Sequence, residues 1–489
     1  MEALLRVLLV NPPDDLHAMF GVGKEFIQKA EPLGLLYIAA VLRERGHLPR
    51  ILDAHAEGLG IEAVRLRIEA EAPDLLGLTT LTCQGAAVFE LGRWARQALP
   101  GTRIVLGNIH ASIFARAYLE NGCCDAVVHG EGEYVLSDLA DRMAEGRSWD
   151  DINGISRLDA SGQYVRQGTE AIVDDISALP FPARDLVDPA LYGLGSISNR
   201  SFVAKDSRKA KTISSARGCP HRCSFCVIHG GRRPRFNSVE RVVDEIQHLQ
   251  DQYGTNYVFF EDPLFLANRK RVQHLCSEII RRKISIRFGG EAHARHLDAD
   301  LVRTLEAAGC HELAIGIESG SQRILDSVHK NITLEQVRTA VHTIKDNSDI
   351  QVEGLFILGL PGETKAEAMQ SIRFACELPL DMAQFAVFTP YPGSPLFEDL
   401  ARRGEIDTGL RPGGGVDPSV WRRYAQYILF TDIQPIWITP GSTVQSLRSL
   451  QKQALRSFYL RPAQFLRNLK RLRPDNFLKA VRIALRGFF

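Results

Sequence analysis

The chain has 489 residues, of which 45% are hydrophobic and 24% charged, with a net charge of +1. That is ordinary globular composition, long enough for two or three domains with sizeable cores. It excludes an integral membrane protein, since apolar runs such as Leu33–Leu42 end well short of the ~20 residues a span needs. It also excludes a disulfide framework. The nine cysteines are odd in number and scattered, and Met1–Pro12 reads as a first strand rather than a secretory leader, so a reduced, cytoplasmic setting is expected.

Residues 1–149 alternate short apolar strands with helices. Strands are expected at Arg6–Asn11, Arg50–Asp53, Leu75–Thr82, Arg103–Gly107 and Ala126–His129, with helices such as Leu33–Arg45 and Ala86–Leu99 between them. This pattern predicts an α/β domain of doubly wound, Rossmann-like type, whose ligands sit at the carboxyl ends of parallel strands. The polar and small residues fall at those ends: Asn11, Thr79, Thr82, Gly107, Gly130, Glu131 and Gly132 are the candidate ligand-binding positions. Chemistry alone leaves a nucleotide or a flavin open, and turn formation explains such residues equally well. The stretch resembles the cobalamin-binding domain that precedes many radical enzymes. The resemblance rests on Asn11-Pro12-Pro13, Pro32-Leu33-Gly34-Leu35-Leu36, Asp53, Pro73-Asp74-Leu75-Leu76-Gly77-Leu78-Thr79 and Gly130-Glu131-Gly132-Glu133; Gly107-Asn108 stands where the family often has two glycines. Asp53-Ala54-His55-Ala56-Glu57-Gly58 matches the Asp-x-His-x-x-Gly motif in which histidine is the lower cobalt ligand of methionine-synthase-like proteins. It follows the second strand rather than the first, so His55 reads as a surface histidine, and cobalamin is expected without a protein histidine on cobalt.

Residues 150–209 are rich in turn residues, and Ala178-Leu179-Pro180-Phe181-Pro182 cannot lie inside a helix, so this stretch reads as a linker. A second βα series fills 210–410, with strands expected near 212–217, 256–260, 285–289, 312–318, 352–359 and 383–389. Six βα units make a partial (β/α)6 barrel, again with functional residues at the carboxyl ends. Its first strand runs into Arg217-Gly218-Cys219-Pro220-His221-Arg222-Cys223-Ser224-Phe225-Cys226, where Cys219, Cys223 and Cys226 are spaced to converge on one metal centre. A [4Fe–4S] cube takes four ligands, so three local cysteines leave one iron for a non-protein ligand. A closed Cys3His zinc site with His229 is the alternative that spacing leaves open. Cys276, Cys310 and Cys376 read as ordinary core or surface thiols.

The Cys-x3-Cys-x2-Cys spacing resembles the radical S-adenosylmethionine (SAM) enzymes, in which the amino and carboxylate groups of SAM chelate the open iron. The resemblance implies that reduction releases a 5′-deoxyadenosyl radical. It also implies a SAM pocket at Phe225, Glu261, Arg295, Glu318, Ser319, Ile357 and Gly359, all at or beyond strand ends. The implied cofactors are thus a [4Fe–4S] cluster, SAM and cobalamin.

Residues 411–489 form a basic helical region. From 447 onward, eleven Lys and Arg residues face Asp475 alone, interleaved with Phe458, Phe465, Leu469, Phe477 and other apolar side chains. That pattern fits either peripheral contact with the inner membrane face or a helical cap with solvated arginines. Ser457-Phe458-Tyr459-Leu460-Arg461-Pro462 resembles the tail of cobalamin-dependent radical enzymes that act on tetrapyrroles and polycyclic lipids. The implied activity is methylation of an unactivated carbon of a small, apolar molecule, with a reductant such as flavodoxin or ferredoxin and no nucleic acid. A non-methylating cyclase or ring-rearranging oxidoreductase would use the same domains. A tRNA methylthiotransferase would need a second cluster, for which residues 1–149 offer only Cys83, Cys123 and Cys124. A zinc-bearing scaffold that binds RNA or membrane is the reading from another class.

Overall fold

The computed structural model describes residues 4–14, 29–193, 209–228, 230–462, 464 and 466. The first sheet is built from β1 (Arg6–Asn11), β2 (Leu48–Asp53), β3 (Leu75–Thr79), β4 (Arg103–Gly107) and β5 (Ala126–Val128), parallel in the order β2-β1-β3-β4-β5. Helices α1 (Leu33–Glu44), α2 (Ile61–Glu71), α3 (Gly85–Ala98) and α4 (Glu133–Ala144) cover its two faces. The period of two explains the continuous apolar runs: Leu8 and Val10 of β1 enter one core, while Val7 and Leu9 enter another on the opposite face. Strand order reverses direction at β1, so the crevice between the ends of β1 and β3 is the switch point of the sheet.

The stretch 150–209 is more than a connector. Within it, β6 (Ile155–Leu158) and β7 (Tyr164–Gln167) form an antiparallel hairpin that extends the sheet to seven strands. Only Ile155 and Ser156 of the hairpin are buried, so the sequence lacks the alternation that would mark a strand. Further along, Arg184 enters a buried ionic cluster: it and Lys211 both pair with Glu31, and Arg184 also reaches Glu245 at 3.5 Å. This cluster ties the connector to both units of the chain.

The second sheet holds β8 (Ala210–Ile213), β11 (Tyr257–Phe260), β12 (Arg287–Ala292), β13 (Cys310–Glu318), β14 (Gln351–Leu358) and β15 (Met382–Val387), parallel and in sequential order. Helices α5 (Val239–Tyr253), α6 (Arg269–Arg281), α7 (Ala299–Ala307), α8 (Leu334–Asn347) and α9 (Lys365–Glu377) pack outside it. The sequence sets their starts. Thr333 with Gln336, and Thr364 with Glu367, each close a reciprocal capping box at the head of α8 and α9. Two short strands, β9 (Ala216–Arg217) and β10 (Arg235–Phe236), pair antiparallel, and the cysteine loop is the excursion between them.

After α10 (Pro395–Arg402), the last described helix, α11 (Val444–Tyr459), lies back on the barrel through Leu447, Leu450, Ala454 and Phe458. Two of the tail cations serve the fold. Arg448 donates to the carbonyls of Ile428 and Thr431, and Arg461 lies over the Phe458 ring. The rest of the tail from 467 onward, with the membrane contact expected there, lies outside the described residues. None of the described helices is long and apolar enough to cross a membrane. One apolar cluster runs through both units: Leu8, Val10 and Phe114 of the first share it with Val387, Phe397 and Trp421 of the second.

Candidate active site

The carboxyl ends of the two sheets face one another across a cavity of about 390 Å³. Gly77, Thr79, Gly107, Gly130, Glu131 and Gly132 line it from the first sheet; Ser214, Ala216, Arg217, Ile228, Gly230 and Glu261 line it from the second. Six candidate residues therefore share this space: Thr79, Gly107, Gly130, Glu131, Gly132 and Glu261. The glycines play different parts. A Cβ on Gly34 or Gly107 would meet nothing within 4 Å, so both leave open room along the wall. Gly130 has φ +86°, and a Cβ there would collide with the backbone carbonyl of Ala171. Its freedom is required by the chain lying beside it rather than by a ligand.

Asn11 and Thr82 do not line the cavity. Asn11 donates to Asp53 Oδ1 at 2.8 Å and accepts from Gln84 Nε2 at 2.6 Å, and Tyr192 donates to the other Asp53 oxygen at 2.9 Å. This closed network pins the ends of β1 and β2. Thr82 is buried in the adjoining 3₁₀ turn. His55 also lies outside the lining. It is half-buried and paired with Asp14, whose hydrogen bond raises the histidine's pKa despite burial.

An ion-pair latch closes the cavity beside the cysteine loop. Arg217, two residues before Cys219, meets Glu133 at 2.7 Å and Glu131 at 3.4 Å. Arg235, on the returning strand, binds both oxygens of Glu131 at 2.7 Å. Burial opposes ionisation of Glu131, but Arg235 and Arg217 outweigh it and hold the carboxyl below its usual range.

The cysteine loop is held by backbone contacts to its surroundings. Ser224 donates its N–H to Val328 O at 2.9 Å, and Leu396 N–H donates to Ser224 O at 2.9 Å. Gly218 takes φ +83°, with three carbonyls of residues 230–233 packed where a Cβ would sit. Burial, then the neighbouring thiols of Cys223 and Cys219, push the Cys226 thiol up to about 11. Three thiolates gathered this way call for a cationic centre to offset their repulsion. Three cysteine donors fit a cube that leaves one iron for another ligand, and His229, the fourth ligand of the zinc reading, lies outside the described residues.

At the barrel mouth, Glu318 ends β13 with φ +65° and pairs with buried Lys330 at 2.7 Å. Burial disfavours charge on Lys330, yet Glu318 and then Cys223 hold its pKa above the usual value. Lys330 thus faces the cysteine loop, and nothing in the sequence singled it out: a lone lysine has no motif. Ser319 is fully buried and spends its hydroxyl on Ser321 N–H and Ser371. Phe225 and Ile357 pack against the same apolar cluster as Leu360 and Phe388. Gly359, at φ +79°, donates its N–H to Glu363 at 2.5 Å. Burial raises Glu363 to about 7. Arg295 is exposed and donates to Gln336 Oε1 at 3.3 Å on the head of α8, outside the cavity lining. Among the remaining cysteines, Cys123, Cys124, Cys276 and Cys310 are buried, and Cys376 donates to Ser457 O at 3.4 Å.

Residues 213–375 match the model of the radical SAM superfamily, and residues 21–140 match that of the B12 binding domain. The chain is 30% identical over 413 residues to the anaerobic magnesium-protoporphyrin IX monomethyl ester cyclase of Rubrivivax gelatinosus, covering 82% of this chain and 71% of the relative. The chain belongs to the cobalamin-binding radical SAM enzymes. Another member, an uncharacterized methyltransferase of Pyrococcus horikoshii, is 29% identical over 99% of both chains. The fold of this family is shown equally by the radical SAM methyltransferase TsrM from Kitasatospora setae, solved with cobalamin and a [4Fe–4S] cluster, at a TM-score of 0.69 and 21% identity, covering 95% of this chain and 90% of that one. As a member of this family the protein is an enzyme whose cofactors are a [4Fe–4S] cluster, SAM and cobalamin. The open glycine wall fits a large planar ligand, and the three-cysteine set fits a cube with one iron left for SAM.

Proposed function

We propose that the protein methylates an unactivated carbon of a small, apolar molecule. The observation that carries this reading is the single cavity between the two sheets, walled on one side by the glycine-rich strand ends and on the other by the strand that leads into the cysteine loop. When bound, the cluster and SAM supply a carbon-centred radical and cobalamin supplies the methyl group. The chain's own task is then proximity. Cys219, Cys223 and Cys226 hold the cluster. Phe225, Ile357 and Gly359 offer an apolar and backbone surface for adenine, and Glu261 and Glu318 are the polar positions that support SAM; Arg295, turned to Gln336, and Ser319, its hydroxyl spent on Ser321 and Ser371, would have to leave those partners to serve it. Thr79, Gly107, Gly130, Glu131 and Gly132 form the corrin wall. Asn11 supports that wall through the network at the ends of β1 and β2, and Thr82 from the buried turn that carries Gln84 of that network. His55, held by Asp14 away from the lining, supports cobalamin without a histidine on cobalt; nitrogen splitting in the electron paramagnetic resonance of the cobalt(II) form would refute this.

Cyclisation is the second reading, and the Rubrivivax gelatinosus relative favours it. Anaerobic turnover with candidate lipids and tetrapyrroles, followed by product mass analysis, separates the two. Methylation adds one CH2 to the substrate; a product without that gain, formed with 5′-deoxyadenosine, establishes the cyclase-like reading. A flavodoxin- or ferredoxin-type reductant and contact of the basic tail with the inner membrane face complete the proposal.

A further inference from the structure

His221, His293 and His296 are the three potential ligands, among the described residues, whose donor atoms all lie within 4.8 Å of one another. They come from two places: His221 from the cysteine loop, and the other two from the turn that follows β12. The His221 and His293 rings stack at 4.3 Å between centroids and 8° between planes, and the His296 ring lies 5.6 Å from that of His293. Nε2 of His221 and Nε2 of His293 are both buried without a hydrogen-bond partner. His293 is only 5% exposed. An unsatisfied buried polar atom is destabilising. Two such atoms on stacked rings, beside a third histidine, need a shared partner.

The donor set names the partner. It is all imidazole, with no carboxylate and no thiolate, which suits borderline divalent ions such as Zn²⁺. We propose that His221, His293 and His296 bind one zinc-type divalent ion, distinct from the metal held by Cys219, Cys223 and Cys226. Bonds of about 2.0–2.1 Å require the donor atoms to draw together and the stacked rings of His221 and His293 to turn so that their in-plane lone pairs converge. A metal on His293 Nε2 places the ring proton on Nδ1. That displaces the Arg295 N–H contact, which at 3.4 Å is already long. The neighbouring Lys330 is neutralised by Glu318 at 2.7 Å. The ion fastens the cysteine loop to the end of β12, and three ligands leave a fourth coordination position open.

The test uses the full chain, purified anaerobically with its cluster loaded, given Zn²⁺ and desalted. Metal analysis is expected to find one zinc per chain, and zinc K-edge absorption to show nitrogen neighbours at about 2.0–2.1 Å. His293→Ala and His296→Ala are each expected to retain at least ~10-fold less zinc while keeping the visible absorbance of the cluster; His296 is half-buried, so its variant serves if the first fails to fold. Substoichiometric zinc, sulfur neighbours at about 2.3 Å, or full retention by the variants overturns the proposal. None of these readouts depends on whether the enzyme methylates or cyclises.

Discussion

Replacing Glu133 by glutamine removes one charge from the contact between the two sheets and leaves the shape of the side chain almost unchanged. The Glu133 side chain is 5% exposed and its partner Arg217 16%, at 2.7 Å. Removing one member of a buried pair strands the other, at ~3–5 kcal/mol. Arg217 retains Glu131 at 3.4 Å, so the lower end of that range applies. At about 1.4 kcal/mol per tenfold, a loss of about 3 kcal/mol is roughly 100-fold in the balance between closed and parted cavity walls. Cobalamin touching both walls should report it. Titration of the anaerobic protein with cobalamin is expected to show Kd raised by ~10- to 100-fold in Glu133→Gln, with more 5′-deoxyadenosine released per product formed. Adding Arg217→Gln removes the stranded charge and should recover part of the affinity. An unchanged Kd and an unchanged product ratio would refute the reasoning, and would leave the closure to the Arg235–Glu131 pair, the buried Glu31 cluster and the apolar cluster around Trp421.

Gly130→Ala places a methyl group against the Ala171 carbonyl in a left-handed conformation that itself costs ~1–2 kcal/mol; thermal unfolding is expected to move several degrees down, and cobalamin binding to weaken with it. Lys330→Met leaves Glu318 buried beside the cysteines without its cation, so reconstitution is expected to yield less cluster absorbance, and Lys330→Met with Glu318→Gln to restore much of it. Glu363 holds its proton to about pH 7 in the folded chain and releases it near 4.5 when unfolded. Its contribution to stability is therefore full below about pH 4.5 and is lost as pH rises through 7, amounting to ~3 kcal/mol at about 1.4 kcal/mol per pH unit. Glu363→Gln should flatten that part of the stability–pH profile, and a wild-type profile already flat between pH 4.5 and 7 would sink the assignment.

The parts of this fold that the sequence displays are those with a local cause. Short apolar strands between amphipathic helices announce two parallel sheets, and the capping boxes at Thr333 and Thr364 mark helix starts that the structure places at Leu334 and Lys365. The Cys-x3-Cys-x2-Cys spacing is itself a signal, and the structure carries those residues on one loop between β9 and β10. Other features depend on distant partners and stay hidden. The hairpin of β6 and β7 lacks alternation because most of it is half-exposed. Asn11 looks like a ligand-facing residue at a strand end, but its amide is spent on Asp53 and Gln84, 42 and 73 residues away. Arg295 follows the third barrel strand as expected, in the turn after Ala292, yet its side chain turns to Gln336 on α8. Lys330 and the histidine cluster have no sequence signature, because only the barrel brings them to the cysteine loop.

The latch and the lysine point to one electrostatic plan. The cysteine loop begins beside Arg217, which is spent on Glu131 and Glu133 of the first sheet, and ends before Arg235, which is spent on Glu131 as well. Neither arginine is left to pair with the thiols. Lys330 faces Cys223 and Cys226, but it is already bound to Glu318. Arg217, Arg235 and Lys330 are thus committed to carboxylates, while Arg232 donates to the His221 carbonyl within the loop. Arg217 and Arg235 also carry the contact between the strands flanking the cysteine loop and the glycine wall. Charge balance at the loop and spacing across the cavity are therefore coupled: a variant that frees Arg217 from Glu133 should both part the walls and bring a cation toward the cluster, raising its reduction potential as cobalamin affinity falls. Potentiometry on Glu133→Gln alongside the cobalamin titration tests that joint shift, and a change in one without the other would show that the latch and the cluster act independently.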